Sequence, residues 1–155
     1  MAEQEKVALM RRWFQEIWNE GRTEIVRELL APNIVGIGTA EHDSPISSPD
    51  DFLQLVATMR GAFPDMRFTV EDAFGEGDRV CVRWSMKATH TGDHLGIAAT
   101  GKPVTINGVT IVKFEDGKIV AGWDNWDQLG LLVQIGVVSP AEFVAVKGPT
   151  EAKAS

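Results

Sequence analysis

The sequence predicts an α+β domain in which a curved, mixed but mostly antiparallel sheet forms a cone closed by N-terminal helices. Three observations carry this. Apolar residues recur at three- and four-residue spacings from the N-terminus to Phe63, and from Met66 to Trp126 they alternate with polar ones. Glycine- and aspartate-containing turns separate the alternating runs, as hairpins require. Helices segregated ahead of an antiparallel sheet must cover one of its faces. A strongly curved sheet with helices across its mouth encloses a ligand-sized pocket, lined by every second residue of each strand.

Each element has its own signal. AEQEKVALMRRWFQEIWNEG places Val7, Met10, Phe14, Ile17 and Trp18 on one helical face, and Gly21 stops that helix as a C′ glycine. RTEIVRELLAP reads as a short second helix, with Thr23 as N-cap and Pro32 closing it. NIVGIGTAEHDSPISSP is a loop holding a short strand at Ile34–Ile37. A third helix starts with Ser48 as N-cap, Pro49 at the first position, and Asp50 and Asp51 at the positive end of its dipole. Its inner face is Phe52, Leu55, Val56, Met59 and Phe63.

Beyond Pro64 the period becomes two. MRFTVEDAFGEGDRV alternates up to a Gly-Glu-Gly-Asp turn. RVCVRWSMKATH puts Val80, Val82, Trp84, Met86, Ala88 and His90 on one face. TGDHLGIAATGKP is a loop, and VTINGVTIVKFEDGKIVAGWDNW is a hairpin with Glu-Asp-Gly-Lys at its tip. DQLGLLVQIG closes the domain as a short helix capped by Asp127. Residues 1–138 therefore form a single domain, and 139–155 form a C-terminal tail expected to be poorly ordered.

Composition bounds the function. A chain of 155 residues that is 44% hydrophobic builds one domain with a real core. A formal charge of −7 argues against nucleic acid or an anionic membrane as partner. The one cysteine, Cys81, permits no disulfide within the chain and reads as a small buried or half-buried hydrophobe. No leader-like segment opens the chain and no apolar run approaches ~18 residues, so a cytoplasmic protein without a membrane span is expected. His42, His90 and His94 are the only histidines, and no zinc pattern, phosphate-binding glycine loop or serine elbow is present. Neither a metal nor an organic cofactor is expected.

What remains is the last hairpin. In its returning strand Val120, Gly122, Asp124 and Trp126 share one face, and Ile119, Ala121, Trp123 and Asn125 share the other. If the first set faces inward, Asp124 is a carboxylate in an apolar, tryptophan-lined cavity whose desolvation raises its pKa toward neutrality. If the second set does, Asp124 is a solvated strand charge. Spacing leaves both open. On the partner strand, Val104, Ile106, Gly108, Thr110, Val112 and Phe114 form the more apolar set and the better interior. The pocket candidates are then Phe14, Trp18, Met59, Phe63, Trp84, His90, Gly108, Thr110 and Trp126, with His42 at the mouth. His90 reads first as the pin of its loop, ahead of a catalytic role. The reverse face (Val109, Ile111, Ile119, Ala121 and Trp123) is apolar too, so a second copy is expected to cover it and form a homodimer.

WNEGRTEIVRELLAPNIV, RVCVRWSMKATHTGDHLGIAATGKPV and VTIVKFEDGKIVAGWDNWDQLGLLVQIG together resemble the SnoaL-like polyketide cyclases, or ester cyclases, of the nuclear transport factor 2-like superfamily. The resemblance runs from about residue 5 to 136. It implies the cone-shaped α+β barrel, commonly dimeric through its outer sheet face. It also implies cofactor-free acid/base catalysis of an intramolecular aldol condensation on a hydrophobic carbonyl compound. Matched through DGKI and the aspartate beyond it, the acid/base residue falls on Asp124. The chain departs from the pattern at three polar positions: a pocket histidine is Thr110, a strand glutamine is Gly108, and an asparagine is replaced near Gly36. The alternative is a non-catalytic small-molecule binding protein of the same fold. Ketosteroid isomerases use a tyrosine, which this chain lacks, and limonene-epoxide hydrolases use Arg-x-Asp where this chain has Arg83-Trp84-Ser85. Epoxide hydrolysis is the lesser reading.

Overall fold

The computed structural model describes residues 1–37 and 45–140. His42 and most of the tail lie outside them. Helix α1 (Glu3–Trp13) carries acids in its first turn and arginines in its last, which suits its dipole. It does not continue as an α-helix to Gly21, as its periodicity predicts; Phe14–Asn19 is a π-helical segment in which Glu20 N–H donates to Gln15 O at 3.1 Å. The reason lies in packing. Trp13 and Trp18 both pack on Phe52, with ring centroids 4.9 and 5.8 Å away. Residues five apart diverge by about 140° on an α-helix, whereas a π-turn brings them onto one face.

Helix α2 (Glu24–Leu29) starts without a side-chain bond from Thr23, whose backbone is already helical, so the predicted cap is not made. Strand β1 (Leu30–Ile37) follows at once, earlier than the expected Ile34, and contains Pro32 instead of being preceded by it. A proline fits there because β1 is an edge strand with an irregularity between Leu30 and Val35. Helix α3 (Pro49–Ala62) has the expected cap: Ser48 Oγ accepts from Asp51 N–H at 3.2 Å.

Strands β2 (Arg67–Glu76), β3 (Arg79–Thr89), β4 (Pro103–Glu115) and β5 (Lys118–Trp126) precede helix α4 (Gln128–Gln134). The sheet order is β1-β5-β4-β3-β2, with β1 parallel to β5 and the other neighbours antiparallel. The sheet stays open, with β1 and β2 as its edges. Along β3 and β4 burial alternates as the sequence requires, with Val80, Val82, Trp84, Met86 and Ala88 inside, opposite Val112, Thr110, Gly108, Ile106 and Val104.

In β5 the alternation breaks. Thr110 pairs with Asp124 and Val112 with Gly122, but Phe114 pairs with Ile119, so the register slips near Val120. Ile119 is therefore buried at 2% exposure, Val120 leaves the inner set, and Gly122, Asp124 and Trp126 stay inside. This corrects both predicted faces of the strand. Asp116 and Gly117 have positive φ, as a two-residue hairpin turn demands. Asp127 caps α4, its Oδ1 accepting from Gly130 N–H at 2.8 Å. No helix among the described residues is long and apolar enough to cross a membrane.

Candidate active site

Three neighbouring strands assemble the centre of the site. The β4–β5 register sets Thr110 directly opposite Asp124, and the β3–β4 register sets Trp84 opposite Gly108. Because Gly108 has no side chain, the Trp84 indole can lie across β4. A Cβ at 108 would sit 2.5 Å from Trp84 Cζ2 and 2.7 Å from Trp126 Cβ. In that pose Trp84 Nε1–H donates to Thr110 Oγ1 at 3.0 Å, and Thr110 donates to Asp124 Oδ1 at 2.5 Å.

The inner sheet face and the helices enclose a cavity of about 110 Å³. Its walls are aromatic: Phe68 packs on Phe14, Trp18 and Trp84 with centroids 5.5, 5.4 and 5.0 Å away. Asp124 is the only titratable side chain among the described residues lining it. Asp124 is partly exposed and lines this cavity. Burial away from water raises its pKa from 3.8 to about 6, and the Thr110 hydrogen bond pulls more weakly the other way. A carboxyl so placed exchanges protons near neutrality.

Phe14, Trp18, Met59, Trp84, Thr110 and Trp126 line the cavity together with Asp124 and Gly36. Three other predicted pocket residues do not. Gly108 is on the inner face, but the two tryptophans fill the space above it. Phe63 is wholly buried in the core behind the cavity wall. It stacks on His90, with centroids 5.4 Å apart. His90 pins its loop instead: it is fully buried, and its Nδ1 accepts from Thr100 N–H at 3.3 Å and lies 3.0 Å from Thr100 Oγ1. Its Nε2 has no partner among the described residues. His42 lies outside the described residues. Cys81 faces away from the cavity, and burial pushes its thiol pKa up, away from nucleophilic reactivity.

Several lining residues lie outside the predicted pocket set. Phe68 is foreseeable, since it pairs across the sheet with inward-facing Met86. Phe52 and Leu55 fall on the predicted inner face of the third helix, which does not by itself assign them to the pocket. Ile46 gave no periodic signal, because it reaches the cavity from a loop through one isolated bridge to Gly36. Trp13 depends on the π-turn. No cluster of three histidine, cysteine, aspartate or glutamate side chains suited to a metal ion occurs among the described residues.

A family model for SnoaL-like polyketide cyclases matches residues 8–135. The chain is 28% identical over 132 residues to the aklanonic acid methyl ester cyclase DauD of Streptomyces sp. (strain C5), covering 84% of this chain and 81% of that protein. It is 30% identical over 133 residues to the aklanonic acid methyl ester cyclase AcmA of Streptomyces galilaeus, covering 85% and 91%. Among solved structures it resembles AclR of Streptomyces galilaeus, a candidate hydroxylase. That match has a TM-score of 0.77 and 31% identity over 89% of this chain and 85% of AclR.

Proposed function

Because the chain belongs to the SnoaL-like polyketide cyclase family, we propose that it closes or isomerises a ring in a hydrophobic, polyketide-like carbonyl compound, with Asp124 as general base and then general acid. One observation carries the reading: a lone carboxyl, raised to about 6 by burial, on the wall of an aromatic cavity. The substrate's flat apolar body lies against the aromatic wall that Phe14, Trp18 and Phe68 form. Ionised Asp124 takes a proton from the carbon beside a carbonyl, and the electron pair passes into an enolate. The enolate carbon then attacks a second carbonyl of the same molecule, forming the ring bond. The alkoxide so formed takes the proton back from Asp124, so base and acid are one residue and no proton is lost.

The lining set explains why a second reading stands beside it. Thr110 is committed to Asp124, and Gly36 brings no side chain. Only indole N–H groups remain among the described lining side chains as donors to an enolate oxygen. A protein that binds such a compound without turning it over fits that scarcity of donors. The same proposal gives the outer sheet face, with Val109, Ile111, Ala121 and Trp123, to a second copy of the chain.

Aklanonic acid methyl ester is the first compound to test, given the relatives that act on it. The catalytic reading expects a ring-closed product of unchanged mass from the native protein and none from Asp124→Asn, with ligand affinity kept. Tight binding without product from the native protein supports the binding reading. A product heavier by oxygen points to the chemistry implied for AclR.

A further inference from the structure

We propose that Trp84 is a positioning residue for Asp124, acting through Thr110, and that position 108 is glycine so that Trp84 can reach it. The inference rests on the reading of Asp124 as the acid/base and adds how its proton affinity is set. Thr110 has one hydroxyl proton, and an indole N–H can only donate. At 3.0 Å the Trp84 N–H therefore occupies the accepting side of Thr110 Oγ1. The hydroxyl proton is left to point at Asp124 Oδ1, 2.5 Å away. Both Trp84 and Thr110 are buried, so water does not compete for either group. Two bonds in series, polarised in one direction, strengthen each other.

This chain favours the carboxylate, while burial favours the neutral acid. Their opposition leaves a base that is ionised near neutrality and can still hold a proton during turnover. Gly108 is the structural condition. Any side chain there meets Trp84 Cζ2, Trp126 Cβ and the Asn125 carbonyl within 2.9 Å. The indole would have to swing away from Thr110. The described residues facing the cavity from the helices and from β1 to β4 are all uncharged. The titration of Asp124 therefore reports on its burial first and on this chain of bonds beside it.

The test is a carbon-13 carboxyl NMR titration of Asp124 in the full-length protein. Thr110→Val is expected to raise the midpoint by about one unit, a roughly tenfold change in ionisation constant, because a bond to a charged group is lost. Trp84→Phe should raise it by less, Thr110→Ser should leave it near the native value, and Trp84→Phe should add nothing in a Thr110→Val background. Since Trp84→Phe also removes ring volume, Trp84 replaced site-specifically by benzothienylalanine keeps the shape and deletes only the N–H; the same upward shift is expected. An unmoved midpoint in the Trp84 variants, or an equal shift with and without Thr110, overturns the proposal. The titration uses no substrate, so the two readings fail separately. If Asp124 is not the acid/base, turnover survives Asp124→Asn while these shifts persist. If the positioning is wrong, Asp124→Asn abolishes turnover while the Trp84 variants titrate as the native protein.

Discussion

Asp124 is a costly residue for the fold to keep, and the cost has a sign. Its carboxyl is raised from 3.8 to about 6 in the native state, so the folded chain binds more protons than the unfolded chain between those values. The contribution of Asp124 to stability is thus fully present below pH 3.8 and is lost as pH rises through 6. Relative to the native protein, Asp124→Asn should be stabilised by about 3 kcal/mol above pH 7 and by almost nothing below pH 4. Urea unfolding across that range checks it; a difference independent of pH would show that the carboxyl is not desolvated. The sequence identified this residue but not its direction. Both faces of β5 carry a tryptophan, and only pairing with Thr110 on β4 turns Asp124 inward. Trp84 was legible as an apolar inner residue; its polar edge was not, because that depends on the empty space at Gly108.

At the scale of elements, what could be read locally was read. The Ser48 cap, the Asp127 cap, the tip at Asp116–Gly117 and the alternation of β3 and β4 are all set by residues adjacent in sequence. The π-segment is set by a distant partner, Phe52, and the slip near Val120 by the cross-strand pairing of Ile119 with Phe114, and no periodicity announces either. Unpaired strand backbone follows the same rule. Asn19 reaches β2, its Oδ1 accepting from Phe68 N–H at 2.7 Å and its amide donating to Phe68 O at 3.0 Å. Gln134 does the same for Thr105 on β4, at 2.7 and 3.0 Å. One side-chain amide thus stands in for a missing strand at each place. Asn19→Ala should lose about 1–3 kcal/mol, since two part-buried backbone groups lose their partner; a denaturation midpoint equal to the native one would contradict that role. Because Asn19 ends the π-segment, the same variant should also weaken binding of an apolar ligand against Trp18.

For the whole molecule, segregated helices and hairpins foretold an α+β cone, and the sheet with its helical cover agrees. The sheet is open between β1 and β2, and its parallel β1–β5 pairing joins strands far apart in sequence. The outer face remains the assembly's question. Trp123 lies there beneath the Arg79 guanidinium, 5.3 Å from its ring centroid, beside Ile111. Sedimentation should find a dimer for the native chain and a folded monomer for Ile111→Glu; an unchanged dimer would place the interface elsewhere. One titration tests most directly the proposed proton-transfer role of Asp124. Followed by carbon-13 NMR in the unmodified protein, the Asp124 carboxyl should titrate with a midpoint of about 6. A midpoint at the ordinary 3.8 would mean that Asp124 is solvated and does not serve as the acid/base.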